Sequence, residues 1–150
     1  MGVVKIGLED LYSDIILDYA KNSKYKKEIS SASKSEGKNM SCGDEITLFV
    51  KVKDDVIEEI SFLGHGCIIS QASAAMMCEI LEGKTLQEAT QIFEEVINMS
   101  QGNDFNKELI DGVGIFSDIS NFPMRTKCFT LAWHTFEEAL KSYHNRSEKL

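Results

Sequence analysis

Three cysteines in sharply different settings constrain this chain more than any other feature. Cys42 opens Cys42-Gly43-Asp44, Cys67 closes Gly64-His65-Gly66-Cys67, and Cys128 follows Arg125-Thr126-Lys127. They are too far apart in sequence to form a local finger. Zinc takes four ligands from thiolate, imidazole or carboxylate, so three thiols from separate segments and the nearby carboxylate of Asp44 would complete one tetrahedral site. Any fold for this chain has to bring those segments to one place.

The composition allows that. With 150 residues, 43% hydrophobic and 27% charged, the chain reads as one globular domain over 1–150 that buries its own core without disulfides, with a flexible N-terminus and a tail from about 145. No stretch approaches the roughly 20 apolar residues of a membrane span. The first residues lack the basic region, apolar run and cleavage site of an export signal. The expectation is a soluble, cytoplasmic protein with no membrane partner. A formal charge of -8 and a pI near 4.9 argue against nucleic acid as a partner, since phosphate binders cluster Lys and Arg. The dense basic run 21–27 reads instead as a solvated helix end. In a reducing cytoplasm the four cysteines point to metal ligation or reactive thiols rather than to disulfides.

Periodicity places these residues on elements. Leu8, Leu11, Tyr12, Ile15 and Tyr19 fall at helical spacing. The Ser-, Lys- and Gly-rich stretch 30–41 reads as a mobile loop leading into Cys42. Ile46, Leu48, Val50 and Val52 alternate with polar residues as in a half-buried strand, and Asp54-Asp55 turns the chain into a second strand over 56–63. Gly64-His65-Gly66 breaks that pattern, and Ser70 reads as the cap of a helix with Ala72, Met76 and Ile80 on one face. Cys67 is therefore expected near a helix N-terminus. Gly83 suits a helix stop, and Thr85-Leu86-Gln87-Glu88 is a capping box ahead of the stripe Leu86, Ala89, Phe93 and Val96. The segment 100–120 reads as a short helical turn with irregular packing around Leu109, Ile110, Val113, Ile115 and Phe116. After Pro123, a last helix carries Phe129, Ala132, Trp133, Phe136, Leu140 and Tyr143, with Cys128 in its first turn. There the helix dipole, Arg125 and Lys127 would favour an ionised thiol.

Taken together, Cys42-Gly43-Asp44 before a hairpin, the run Ile60-Ser61-Phe62-Leu63-Gly64-His65-Gly66-Cys67-Ile68-Ile69-Ser70-Gln71-Ala72-Ser73-Ala74-Ala75-Met76-Met77, then Gly83-Lys84-Thr85, Phe122-Pro123-Met124-Arg125-Thr126-Lys127-Cys128 and Leu131-Ala132-Trp133 resemble the SufU/IscU family of iron-sulfur cluster assembly proteins. The resemblance covers about 8–143, and its long central run is far more specific than the Cys-Gly-Asp triplet alone. It implies an α+β fold in which a small antiparallel sheet of about three strands packs against several helices. Lys127, where IscU-type scaffolds carry a histidine, and the long segment between 84 and 122 are similar to SufU. That branch implies a zinc-dependent sulfurtransferase acting with a pyridoxal-phosphate cysteine desulfurase of the SufS type. Cys42, Asp44, Cys67 and Cys128 then match the Zn2+ ligands, Cys42 matches the persulfide acceptor, and Arg125 and Lys127 support the site by offsetting its charge. Downstream partners would be other cluster-assembly proteins.

Other readings remain beside this one. On the same ligands an IscU-type scaffold would hold an iron-sulfur cluster or iron, and a structural zinc domain would use the metal only to hold its fold. No base placed by motif and no cofactor loop marks an active site for turnover by this chain alone. Cys78, beside Met76-Met77, reads as core packing, His65 as a solvent-facing turn residue, and His134 and His144 as outside the site. Tyr19, Ser23 and Ser41 depart from the family pattern, and 115–121 looks inserted.

Overall fold

The computed structural model describes residues 12–148. The elements run α1 (Asp14–Asn22), β1 (Ser33–Asn39), β2 (Asp44–Lys53), β3 (Val56–His65), α2 (Ile68–Leu81), α3 (Leu86–Ser100), α4 (Lys107–Ile110), two short 3-10 turns (Asp111–Phe116 and Ile119–Asn121) and α5 (Pro123–Glu148). The three strands form one antiparallel sheet in the order β1-β2-β3. This is the expected α+β architecture. Leu8, Leu11 and the expected flexible N-terminus lie outside the described residues, and α5 continues to Glu148 through most of the expected tail.

The β2–β3 hairpin forms where alternation predicts it. Ile46, Leu48 and Val50 point into the core, and Asp54 and Asp55 both adopt positive φ, 54° and 60°. A two-residue turn that follows the twist of its strands requires that geometry, and Asp tolerates it.

The first strand corrects the sequence reading. The stretch expected to be a mobile loop is mostly β1, paired with β2 from Ser33↔Val50 to Asn39↔Asp44. It carries no apolar residue because its inner face lies along α5. The Ser33 hydroxyl accepts from Arg146 Nη2 at 2.9 Å, and Asn39 Nδ2 lies 3.8 Å from Cys128 Sγ. Between them sits Gly37, where a Cβ would collide with Thr135 Oγ1 and stand 3.2 Å from Leu131 Cδ1. Small side chains are what let helix and strand approach so closely. The loop proper is the turn 40–43, in which the Cys42 and Gly43 N–H groups donate to Asn39 O at 3.3 and 2.9 Å.

The second helix also departs from expectation. Cys67, not Ser70, occupies its N-cap position, and the Ser70 hydroxyl donates to Cys67 O at 2.9 Å. Rather than burying one face, α2 is buried at Ile69 through Cys78 and at Leu81, so it forms the centre of the domain. Ser73 ties it to α5, donating to Phe129 O at 2.6 Å and accepting from Trp133 Nε1 at 3.1 Å. The indole is fully buried, and that bond satisfies its only polar atom.

On the outer side, α1 packs on α2 through Ile16 and Ala20, while Ile15 is exposed. The apolar face is thus displaced by one position from the expected stripe. The Tyr19 hydroxyl donates to Glu79 of α2. The basic run is only partly solvated: Tyr25 is buried, and its carbonyl accepts from Phe62 N at 2.9 Å, extending the sheet beyond β3.

The capping box of α3 is formed, with Glu88 N donating to Thr85 Oγ1 and Thr85 N to Glu88 Oε1, both at 3.0 Å. The irregular segment after α3 buries Ile110, Val113, Phe116 and Ile119 and leads into α5, which starts at Pro123 itself. Proline suits that position, since its missing N–H would be unpaired in any residue there. Among the described residues no helix is long and apolar enough to cross a membrane.

Gly37→Ala is expected to destabilise the fold by about 1–3 kcal/mol through overpacking against α5, read from urea unfolding. Adding Thr135→Ala should recover part of the loss. Simple additivity of the two substitutions would show that the β1–α5 contact is not the cause.

Candidate metal centre

Each site residue is set by an element end. Cys42 sits in the β1–β2 turn, where Gly43 has φ +71°, and Asp44 is the first residue of β2. Cys67 is the N-cap of α2. Cys128 is the sixth residue of α5 and therefore lies in its second turn, not its first. The Cys42 and Cys128 sulfurs are 3.2 Å apart, and one donor atom each from Cys42, Asp44 and Cys128 lie within 4.8 Å of one another. The Cys67 sulfur stands 4.0 Å from Asp44 Oδ2, at the margin of that group.

Asp44 is the electrostatic centre. Its residue is 1% exposed, and a buried carboxylate is costly unless its charge is answered. Oδ1 accepts from the Cys67 backbone N–H at 2.8 Å, and Oδ2 accepts from Asn39 Nδ2 at 3.4 Å. Among the described residues no lysine or arginine pairs with it. An acidic donor flanked by three thiols, with no protein cation in contact, fits a dication. In a tetrahedral thiolate-carboxylate site the ligand atoms stand about 3.5–4 Å apart, which is the scale found here. Zn2+ would be held by Cys42, Asp44 and Cys128, with Cys67 as the fourth ligand.

Gly66 makes this packing possible. A Cβ there would collide with Asp44 Oδ1 and come within 2.9 Å of Ser70 Oγ.

The electrostatics correct one expectation. Burial first, then hydrogen bonds to Cys42, Asp44 and Cys67 and the charge of Cys67, push the Cys128 thiol up rather than down. Fully buried in the second helical turn, it lies beyond the reach of the first-turn dipole. Arg125 does face the thiols. Its pKa is raised first by Tyr12, against an opposing effect of burial, and then by a hydrogen bond to Cys128 and the charges of Cys67 and Cys128. Lys127 is exposed on the helix.

The remaining candidates are elsewhere. His65 is solvent-facing, with Nε2 2.9 Å from Glu45 Oε2 across the strand pair. His134 and His144 are exposed. Cys78 is fully buried in the core, where desolvation first and Glu82 second push its thiol up. Sequence reasoning missed Asn39, whose amide lies between Asp44 and Cys128, and the close approach at Gly66. Asn39 gives no signal by composition, and only its pairing with Asp44 across the hairpin brings it to the site.

Fold and donors together define an α+β domain with a thiol-rich candidate metal site. The chain belongs to the NifU-like N terminal domain family, whose model matches residues 11–150. It is 48% identical over 132 residues to a protein of Thermotoga maritima named iron-sulfur cluster assembly scaffold protein IscU, covering 87% of this chain and 93% of the relative. It is 33% identical over 134 residues to the zinc-dependent sulfurtransferase SufU of Bacillus subtilis, covering 89% and 91%. Among solved structures, the SufU-named crystal structure from Fervidobacterium islandicum AW-1 shares 44% identity with a TM-score of 0.83, covering 87% of this chain and 97% of that one. The SufU/IscU resemblance read from the motifs therefore holds, as does the fold it implied.

Two outcomes are expected. Gly66→Ala should lower zinc affinity by about 10- to 100-fold by displacing Asp44, with the circular dichroism of the fold retained; unchanged affinity in a competition titration would detach the carboxylate from the site. The second concerns the metal-free chain. Cys78 and Cys128 have folded pKa values above that of an unfolded thiol, about 8.5. Their contribution to stability is therefore complete below that pH and is lost as pH rises above it. The urea midpoint should fall on going alkaline, and a midpoint level between about pH 8 and 10 would contradict the assignment.

Proposed function

We propose that this chain works as a single SufU/IscU-like domain in cytoplasmic iron-sulfur cluster assembly. In this reading it is a zinc-bound sulfurtransferase that accepts persulfide sulfur from a SufS-type cysteine desulfurase onto Cys42 and passes it to downstream cluster-assembly proteins. The observation that carries the reading is the unequal placing of the three thiols. Cys128 is buried in a helix and Cys67 begins one, whereas Cys42 is half-buried on a short turn. Cys67 is half-buried too, but it is fixed as the N-cap of α2 with its N–H bonded to Asp44 Oδ1, whereas Cys42 is carried by the turn alone. Beside it, a groove of about 370 Å³ is lined by Asn121, Phe122, Pro123, Met124 and Arg125.

The transfer balances simply. The Cys42 sulfur attacks the outer sulfur of the desulfurase persulfide, the enzyme's S–S bond breaks, and the enzyme keeps its thiol while Cys42 holds the new persulfide. A bound zinc would keep the site's thiols deprotonated and out of reach of oxidants until the acceptor is released. Asp44, Asn39 and the Cys67 N–H hold the site's floor in place, and Arg125 supplies positive charge beside the sulfurs.

A second reading has its own support. The Thermotoga maritima protein at 48% identity and a Streptococcus pyogenes relative at 37% are both named as IscU scaffolds. A scaffold would build and release a cluster on the same donors, and Asp44→Ala should then change the cluster's lifetime. In a structural zinc domain, by contrast, Cys42→Ala would melt the fold without a separate transfer defect.

The deciding experiment is desulfurase turnover with and without the zinc-loaded chain. Wild type is expected to stimulate turnover and Cys42→Ala to give none while remaining folded. No stimulation by either protein would reject the sulfur-acceptor role and leave the scaffold.

A further inference from the structure

We propose that Cys128 is the resolving thiol of Cys42: once Cys42 carries a transferred sulfur, Cys128 attacks Cys42 Sγ, expels that sulfur as hydrogen sulfide and closes a Cys42–Cys128 disulfide. The proposal rests on Cys42 being the sulfur acceptor, and adds the source of electrons. Persulfide sulfur is two electrons short of sulfide, so a chain that only accepts it cannot release sulfide. A second thiol within bonding reach removes that obstacle.

Three observations select Cys128. Its sulfur is 3.2 Å from Cys42 Sγ, with the Cys128 S–H donating toward it. A disulfide needs about 2.0 Å, so the pair must close by roughly one ångström, a displacement small enough for the short turn that carries Cys42. Access also differs between the two. Cys128 is 0% exposed and Cys42 is half-buried, so a sulfur donor reaches Cys42 while Cys128 meets only its neighbour.

The alternative thiol is held back. Cys67 Sγ lies outside the close group of Cys42, Asp44 and Cys128, and its backbone N–H is tied to Asp44 Oδ1 at 2.8 Å. Cys78 is enclosed in the core. Asn39 Nδ2, 3.8 Å from Cys128 Sγ, and Met124 O, 3.6 Å from it, fix the resolving sulfur beside the turn.

The step balances. The Cys42 Sγ–Cys128 Sγ bond forms and the bond between Cys42 Sγ and the transferred sulfur breaks. The leaving sulfur takes that electron pair and the Cys128 proton to depart as hydrogen sulfide. Over acceptance and release together each cysteine sulfur is oxidised by one electron, and these two electrons take the transferred sulfane sulfur to sulfide. A dithiol reductant then reopens the disulfide for another cycle. This is a reaction of the pair when neither thiol holds metal.

The test uses the full chain as purified, loaded from a pre-charged desulfurase without reductant and then treated with a chelator. Intact-mass spectrometry after loading reads acceptance, and sulfide assay with peptide mapping after chelation reads resolution. Wild type is expected to gain one sulfur, then lose it as sulfide along with two hydrogens, giving a linked Cys42–Cys128 peptide. A wild-type chain that retains its persulfide, or links Cys42 to Cys67, overturns the resolving role and leaves the acceptor standing. If no sulfur appears on Cys42 at the loading stage, the acceptor reading falls and this proposal with it.

Discussion

The close approach of α5 to β1 is the contact on which the rest of the structure depends. A 26-residue helix lies along a strand whose inner residues are Ser33, Ser35, Gly37 and Asn39. Because no bulky side chain intervenes, the tip of the β1–β2 hairpin and the second turn of α5 meet at the same depth. That meeting sets Cys42 against Cys128. On the other side of α5, Ser73 and Trp133 lock the helix to the buried α2, whose N-cap presents Cys67. Two rigid junctions thus aim three thiols at one point, and the hairpin turn is the softest of the three supports.

At that point the protein accepts a local cost. A carboxylate is buried beside three sulfurs, its hydrogen-bond contacts an amide, one backbone N–H and neighbouring thiols, all of them neutral donors. Neutral donors stabilise a buried charge only in part, and a bound cation would complete the energy balance of the site. Gly66 shows how tightly the arrangement is drawn, since even a methyl group there would strike the Asp44 carboxylate. The thiols are not equivalent: Cys128 is buried, while Cys42 and Cys67 are half-buried and of these Cys42 lies on a turn and Cys67 at a helix N-cap.

Much of the architecture was legible in the sequence, and the failures have identifiable causes. Alternation at Ile46, Leu48 and Val50 marked β2, Asp54-Asp55 marked its turn, and Thr85 with Glu88 marked the start of α3, because each signal arises from local backbone geometry. The same local logic misread 33–39 as a loop, since a strand covered by a helix needs small residues rather than apolar ones. Ser70 was mistaken for a cap because Cys67 offers no familiar capping side chain. Cys128 was expected to ionise readily from its charged neighbours in sequence, yet the helix turns Lys127 outward and burial pushes the thiol the other way.

The sequence by itself determined which groups were available to the site, three thiols and one carboxylate in distinctive settings, and the secondary elements that would carry them. Those are properties of residue type and short-range spacing. Only the tertiary structure decided how the groups differ: that Asp44 is buried with no counter-charge among the described residues, that Asn39 joins it, and that Cys42 and Cys128 stand in contact while Cys67 sits at the margin. Distances between segments some 25 to 86 residues apart follow from how α2 and α5 pack on the sheet, and packing is a sum over the whole core that no local pattern encodes.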